Sequence, residues 1–181
     1  MEDVYVFLDN TFLFIQGYKH VQKVANLPQN KKPSFNYGNF RKFVSKFGTV
    51  KRMVLAGSQL PGNLITICQR SGFEVFTLPR YPNIASGKMQ EKGVDQKLVW
   101  EIAKTIFTNK EATVNKKIIL CSGDKDFMPL LPDIQTSGWS LEVWMWNNSY
   151  SPSFQTAVST FGEMIALDDE WKQFIDIIDA T

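Results

Sequence analysis

The sequence predicts an α/β three-layer sandwich around a mostly parallel, five-stranded sheet. Three observations carry that prediction. Two short apolar runs, Val4–Leu8 and Ile118–Cys121, lack polar alternation, as strands buried on both faces do. Both runs end in carboxylates: Asp9 follows the first, and the glycine turn Ser122–Gly123 after the second carries Asp124 and Asp126. Between the runs lie segments with apolar residues at helical spacing, so that strands alternate with helices.

In chain order, Val4–Leu8 is the first strand, and Thr11 to Gln16 begins a helix. Residues 17–36 hold a glycine, two prolines, four lysines and the only histidine, His20, and read as a basic, partly irregular insertion. Tyr37, Phe40, Phe43, Val44 and Phe47 then fall at helical spacing, with Arg41, Lys42 and Lys46 on the remaining faces. Val50–Ala56 is the second strand, Asn63–Arg70 a helix closed by Gly72, and Phe73–Leu78 the third strand. Pro79–Gly93 reads as a loop that delivers Asp95 to the first turn of a helix over Gln96–Phe107. After Ile118–Cys121 a helix is predicted over Asp126–Thr136, kinked by Pro129 and Pro132. Trp139–Trp146 is the last strand, at a sheet edge, and Ser151–Phe161 and Glu170–Ile178 are read as closing helices.

At 181 residues the chain is read as one domain with ordinary globular composition. Its net charge of +2 says little, but the distribution says more. No Asp or Glu occurs from Asn10 to Phe73, a segment that holds ten of the 20 basic residues. The C-terminal end leans acidic, with Glu163, Asp168, Asp169, Glu170, Asp176 and Asp179 against Lys172. Cys68 and Cys121 support neither a disulfide framework nor a zinc site, which favours a reducing compartment. The first strand starts by Val4, leaving no room for a leader, and no apolar run is long enough to span a bilayer, so cytoplasm or nucleus is expected and no membrane partner.

Asp9, Asp95, Asp124 and Asp126 come from two strand ends and a helix start, and open α/β sheets form sites at such carboxyl edges. Gathered carboxylates repel unless a cation neutralises them, and an oxygen-only set suits Mg²⁺ or Mn²⁺. Such an ion activates water for attack on a phosphoryl group. The plainer role, capping the following helix, falls to Asp126 before Asp124, because one helix needs one cap.

The order of VFLDNTFLF, EKGVDQKLVWEIAK, ILCSGDKDFMPLL and GWSLEVWMW resembles the NYN domains, a branch of the PIN-like metal-dependent ribonucleases. The resemblance runs from Val4 to about Ile165 and implies a PIN-like, Rossmann-like sandwich and a divalent-metal endoribonuclease acting on single-stranded or loop RNA. It implies that Asp9, Asp95 and Asp124 hold the metal, that Asp126 assists, and that Ser122 orients a water or a carboxylate. Glu101 stands where many members carry a further acid. Its angular offset from Asp95, about 240°, makes it a solvated or salt-bridged helix residue instead. Many members carry Asn three residues after the first Asp, where this chain has Phe12; Asn10 is the nearest polar substitute but leaves the chain in another direction. That departure motivates the alternative, a catalytically inactive NYN domain that binds RNA or serves as a protein-interaction scaffold. A Toprim-type site fits less well, because it calls for Glu where Asp9 stands.

Lys19, Lys23, Lys31, Lys32, Arg41, Lys42, Lys88 and Lys92 are the candidate phosphate contacts, and Lys125 is either another or a solvated charge. Tyr18 and Tyr81 could stack on bases, while Tyr37 is in phase with the core. One histidine excludes a His pair, and His20 is placed on the insertion surface. Trp139, Trp144 and Trp146 read as packing under the C-terminal helices, or alternatively as a partner or homodimer surface.

Overall fold

The computed structural model describes residues 2–82, 89–110, 115–147 and 149–180. Its elements, in order, begin with β1 (Asp3–Asp9), a π-helical segment Thr11–Gln16, α1 (Gly17–Val24), β2 (Lys31–Phe35) and α2 (Tyr37–Val44). Next come β3 (Thr49–Ser58), α3 (Gly62–Arg70), β4 (Glu74–Leu78), β5 (Arg80–Pro82), β6 (Met89–Glu91) and α4 (Val94–Thr108). Then follow β7 (Lys116–Cys121), a 3₁₀ segment Lys125–Leu130, α5 (Leu131–Thr136), β8 (Ser140–Met145) and α6 (Pro152–Phe161). The chain closes with β9 (Glu163–Ala166), a 3₁₀ turn Trp171–Gln173 and β10 (Ile175–Asp179).

Six strands form one sheet in the order β4-β3-β1-β7-β8-β9, with every pairing parallel. The polarity of the runs explains why: Val4 to Leu8 are all buried, and Ile118 to Cys121 are wholly inaccessible. From β1 the chain moves outward to β3 and β4. Helix α4 then carries it back across the sheet to β7, from which it continues to β8 and β9. The order therefore reverses between β1 and β7. Because Leu8 pairs with Cys121, Asp9 and the Ser122–Gly123 turn emerge side by side at this point.

Residues 17–36 are partly irregular, as expected, with α1 and β2 as their regular parts. Three expectations need correcting. Glu170–Ile178 is not a helix but a 3₁₀ turn followed by β10, whose partner is β2 in antiparallel register, Ile175 opposite Phe35 and Asp179 opposite Lys31. The alternation Ile-Asp-Ile-Ile-Asp suits a strand, and Pro33 is tolerated in β2 because the sheet has only two strands. Finally, the tail of the 79–93 loop folds back, β5 pairing antiparallel with β6. Strand β8 is not the sheet edge either, since β9 pairs beyond it.

Trp144 and Trp146 are buried in an aromatic cluster rather than under C-terminal helices. Trp144 meets Phe43 at 5.3 Å and Phe47 at 5.0 Å between ring centroids, and Phe174 meets Phe40 at 5.3 Å. Trp139 packs on Tyr5. With all three indoles at least 95% buried, they offer no partner surface. Gly17 lets the Trp146 ring lie against α1, since a Cβ there would come within 3.0 Å of it. The Trp146 indole N–H donates to the Leu13 carbonyl, fixing the π-helical segment to β8.

Candidate functional site

The sheet edge assembles a set of acids. Asp9 ends β1, Asp95 lies in the first turn of α4, and Asp124 and Asp126 follow β7. Glu91, at the end of β6, joins them and was not singled out by sequence, although it lies four residues before Asp95 in the same motif. The carboxylates sense one another. Asp9 is pushed up to about 7, chiefly by burial, with the Asp95 and Glu91 charges adding to it and backbone hydrogen bonds opposing it. Asp95 is pushed up to about 6 by burial, then by Asp124 and Asp126, with Glu91 adding less.

Proximity is not convergence. Among the described residues, no three His, Cys, Asp or Glu side chains come together so as to hold a metal ion. Two of the acids are held locally, each through one carboxylate oxygen. Asp9 Oδ1 accepts the backbone N–H groups of Thr11 at 2.8 Å and Phe12 at 3.2 Å. Asp124 Oδ1 accepts the Asp126 N–H at 2.9 Å, capping the 3₁₀ segment, so Asp124 and not Asp126 is the cap. Glu91 accepts the Thr11 hydroxyl at 3.0 Å and faces Arg80 at 3.5 Å. Phe12 is buried, its ring close enough to Gly123 that a Cβ there would lie within 3.0 Å of it.

These findings overturn the metal-dependent reading. The carboxylates Asp9, Asp95 and Asp124, with Asp126, do not form a donor set for Mg²⁺ or Mn²⁺, so the expected metal centre and the endoribonuclease activity that depends on it are withdrawn. The supporting residues have local roles. Ser122 is fully buried and its Oγ accepts the Asp124 N–H at 3.3 Å, while Asn10 Oδ1 accepts the Tyr37 hydroxyl at 3.1 Å. Glu101 is salt-bridged, as expected, but is buried rather than solvated: it meets Arg52 at 2.6 Å and Lys97 at 2.7 Å.

The candidate RNA-binding residues are spread over several elements. Arg41 donates to the Gly72 carbonyl at 3.1 Å, and Lys31 pairs with Asp179 at 2.8 Å. Lys32 is half-buried on β2, Lys42 is exposed on α2, and Lys92 and Lys125 are exposed at the acidic edge. Lys88 lies outside the described residues. Lys19 and Lys23 differ from the others. Both are exposed on α1, one turn apart, and line an open cleft of about 430 Å³ with Gln16, His20, Val24, Trp146, Asn147, Ser149 and Asp168. His20 stacks on Trp146 at 5.2 Å and its Nδ1 meets Asp168 at 3.1 Å, while Asp168 Oδ2 accepts the Asn147 N–H. The cleft's floor residues come from both ends of the chain, which sequence spacing could not reveal.

Among the described residues no helix is long and apolar enough to cross a membrane. A search of curated proteins returns no match. Among solved structures the chain is similar to a protein of unknown function, VPA0982 from Vibrio parahaemolyticus. The two share 20% identity over 97% of this chain and 96% of that one, with a TM-score of 0.65, a likeness of fold alone. The NYN domain profile matches residues 4–165, nearly the whole chain. This chain belongs to the NYN domain family.

Proposed function

We propose that this chain is a non-catalytic NYN domain that binds single-stranded RNA in the cleft beside α1. The observation that carries the reading is the pairing of Lys19 and Lys23, exposed one turn apart on the rim of a cleft that also presents Gln16, Asn147 and Ser149. Two ammonium groups can each meet a phosphate, and amides and a hydroxyl can hydrogen-bond base edges or a ribose 2′-OH. The acidic edge, with Asp124 and Asp126 exposed, repels a phosphate backbone and steers the strand toward α1.

The test is a fluorescence anisotropy titration of a labelled oligouridylate at several salt concentrations, with and without chelator. The wild-type chain is expected to bind regardless of chelator and to leave the RNA intact. Lys19→Glu with Lys23→Glu should abolish binding, and neutralising the pair to Gln should reduce the salt slope by about 1.4, the value for two single-strand phosphate contacts. Chelator-sensitive cleavage lost in Asp124→Asn would refute the non-catalytic reading. Unchanged affinity in the lysine variants would refute the cleft.

A further inference from the structure

The two most exposed large apolar side chains among the described residues are both on α4: Trp100 at 63% and Phe107 at 70%. Seven residues apart, they lie within about 20° of one another around the helix and about 10.5 Å apart along it. Ala103 and Lys104, between them, are exposed on the same side. The inner face of α4 is fully committed: Leu98, Ile102 and Ile106 are in the core, and Glu101 is buried. Its polar chemistry is committed too. Lys97 is held between Glu101 and the Phe76 ring, and Arg52 binds Glu101 and Glu74, the latter lying near Lys104. Among the described residues, what α4 itself offers outward is therefore an apolar stripe whose exposed charges are Lys104, beside the exposed Glu74, and, just past the helix, Lys110, the latter over the Phe107 ring at 4.4 Å.

We propose that this stripe docks an acidic amphipathic helix of a partner protein. Apolar anchors at i and i+7 on a rigid helix match a partner helix with the same repeat, and lysines between and beyond the anchors select acidic flanks. Trp is also among the side chains enriched at interface hot spots. A second copy of the chain fits poorly. In a two-fold pairing of this face, Lys104, between the anchors, would meet its own copy near the axis, a like-charge contact. Unpaired RNA fits poorly as well, because the Lys110 ammonium covers the Phe107 face that a base would stack on.

The experiment uses the full chain and two fluorescein-labelled, lactam-stapled helical peptides with identical leucine stripes, one flanked by Glu and the other by Lys. Anisotropy should show binding of the Glu peptide and little of the Lys peptide. Trp100→Ala should weaken the complex by about tenfold or more. Lys104→Glu combined with Lys110→Glu should invert the preference. Because all three positions are exposed, circular dichroism should show unchanged folding.

Four outcomes overturn the proposal. They are failure of the Glu peptide to bind, equal binding of both peptides, displacement of the Glu peptide by oligouridylate, and a concentration-dependent dimer in sedimentation that Trp100→Ala dissolves. None bears on the α1 cleft, whose lysines are untouched.

Discussion

Replacing Asp9 by Asn should stabilise the protein, by an amount that grows with pH. In the fold the Asp9 carboxyl stands at about 7 against an ordinary 3.8, mainly because it is buried. Between about pH 4 and pH 7 the native state thus holds a proton that the unfolded chain has released. An acid raised in this way contributes most below its unfolded value, and the contribution is lost as the pH climbs through 7. Roughly three pK units at about 1.4 kcal/mol each set an upper bound of about 4 kcal/mol for the cost of the ionised carboxylate near pH 8. Asn removes the charge while its carbonyl oxygen can still accept the Thr11 and Phe12 N–H groups. The variant should therefore exceed the wild type by under about 1 kcal/mol near pH 4 and by about 2 to 4 kcal/mol near pH 8. Urea unfolding of both chains across this range measures the gap directly, provided the m-values match. A gap that is absent, or flat with pH, would refute the reasoning. Millimolar Mg²⁺ or Mn²⁺ should leave the gap unchanged. Stabilisation of the wild type by metal, absent in Asp9→Asn, would restore the metal centre withdrawn above.

Two further substitutions probe the frame around the edge. Arg52→Met leaves Glu101 buried with Lys97 as its remaining partner. Denaturant titration near pH 7 should show a loss of about 2 to 3 kcal/mol, below the full cost of an orphaned buried charge. Burial pushes the Glu101 carboxyl up, but Lys97 and Arg52 more than offset it and leave it low, so the pair's contribution is present above the ordinary value of 4.5 and fades in acid; the variant's deficit should shrink there. Gly123→Ala would drive a methyl within 3.0 Å of the Ser149 carbonyl oxygen and the Phe12 ring, and should lower stability by about 1 to 3 kcal/mol by calorimetry. A neutral result would mean that Phe12 and the 149 loop yield freely.

Much of the frame was legible because it is local. Val4–Leu8 and Ile118–Cys121 announce buried parallel strands through composition alone, and Pro129 and Pro132 mark where the helix after β7 is interrupted. β2 and β10 were not legible: each is a marginal strand with no partner nearby, and they find one another across about 140 residues, Ile175 on Phe35. Glu91 was missed because its neighbours read as loop, and only the β5–β6 pairing brings it to Thr11.

The sequence by itself pointed to the family, to the mostly parallel sheet and to the gathering of acids at one edge, because strand ends and motif spacing fix which residues share that edge; the strand order and the sixth strand were not in it. Whether those acids could act together was decided only in three dimensions. Ligation demands oxygens aimed at a common point within tenths of an ångström, and aim depends on which backbone N–H groups claim each carboxylate. Here Asp9 turns to Thr11 and Phe12, Asp124 turns to Asp126, and Phe12 packs close to Gly123. The same tertiary packing, which closes no metal site among the described residues, folds part of residues 17–36 into α1 and sets Lys19 and Lys23 on a cleft shared with the far end of the chain.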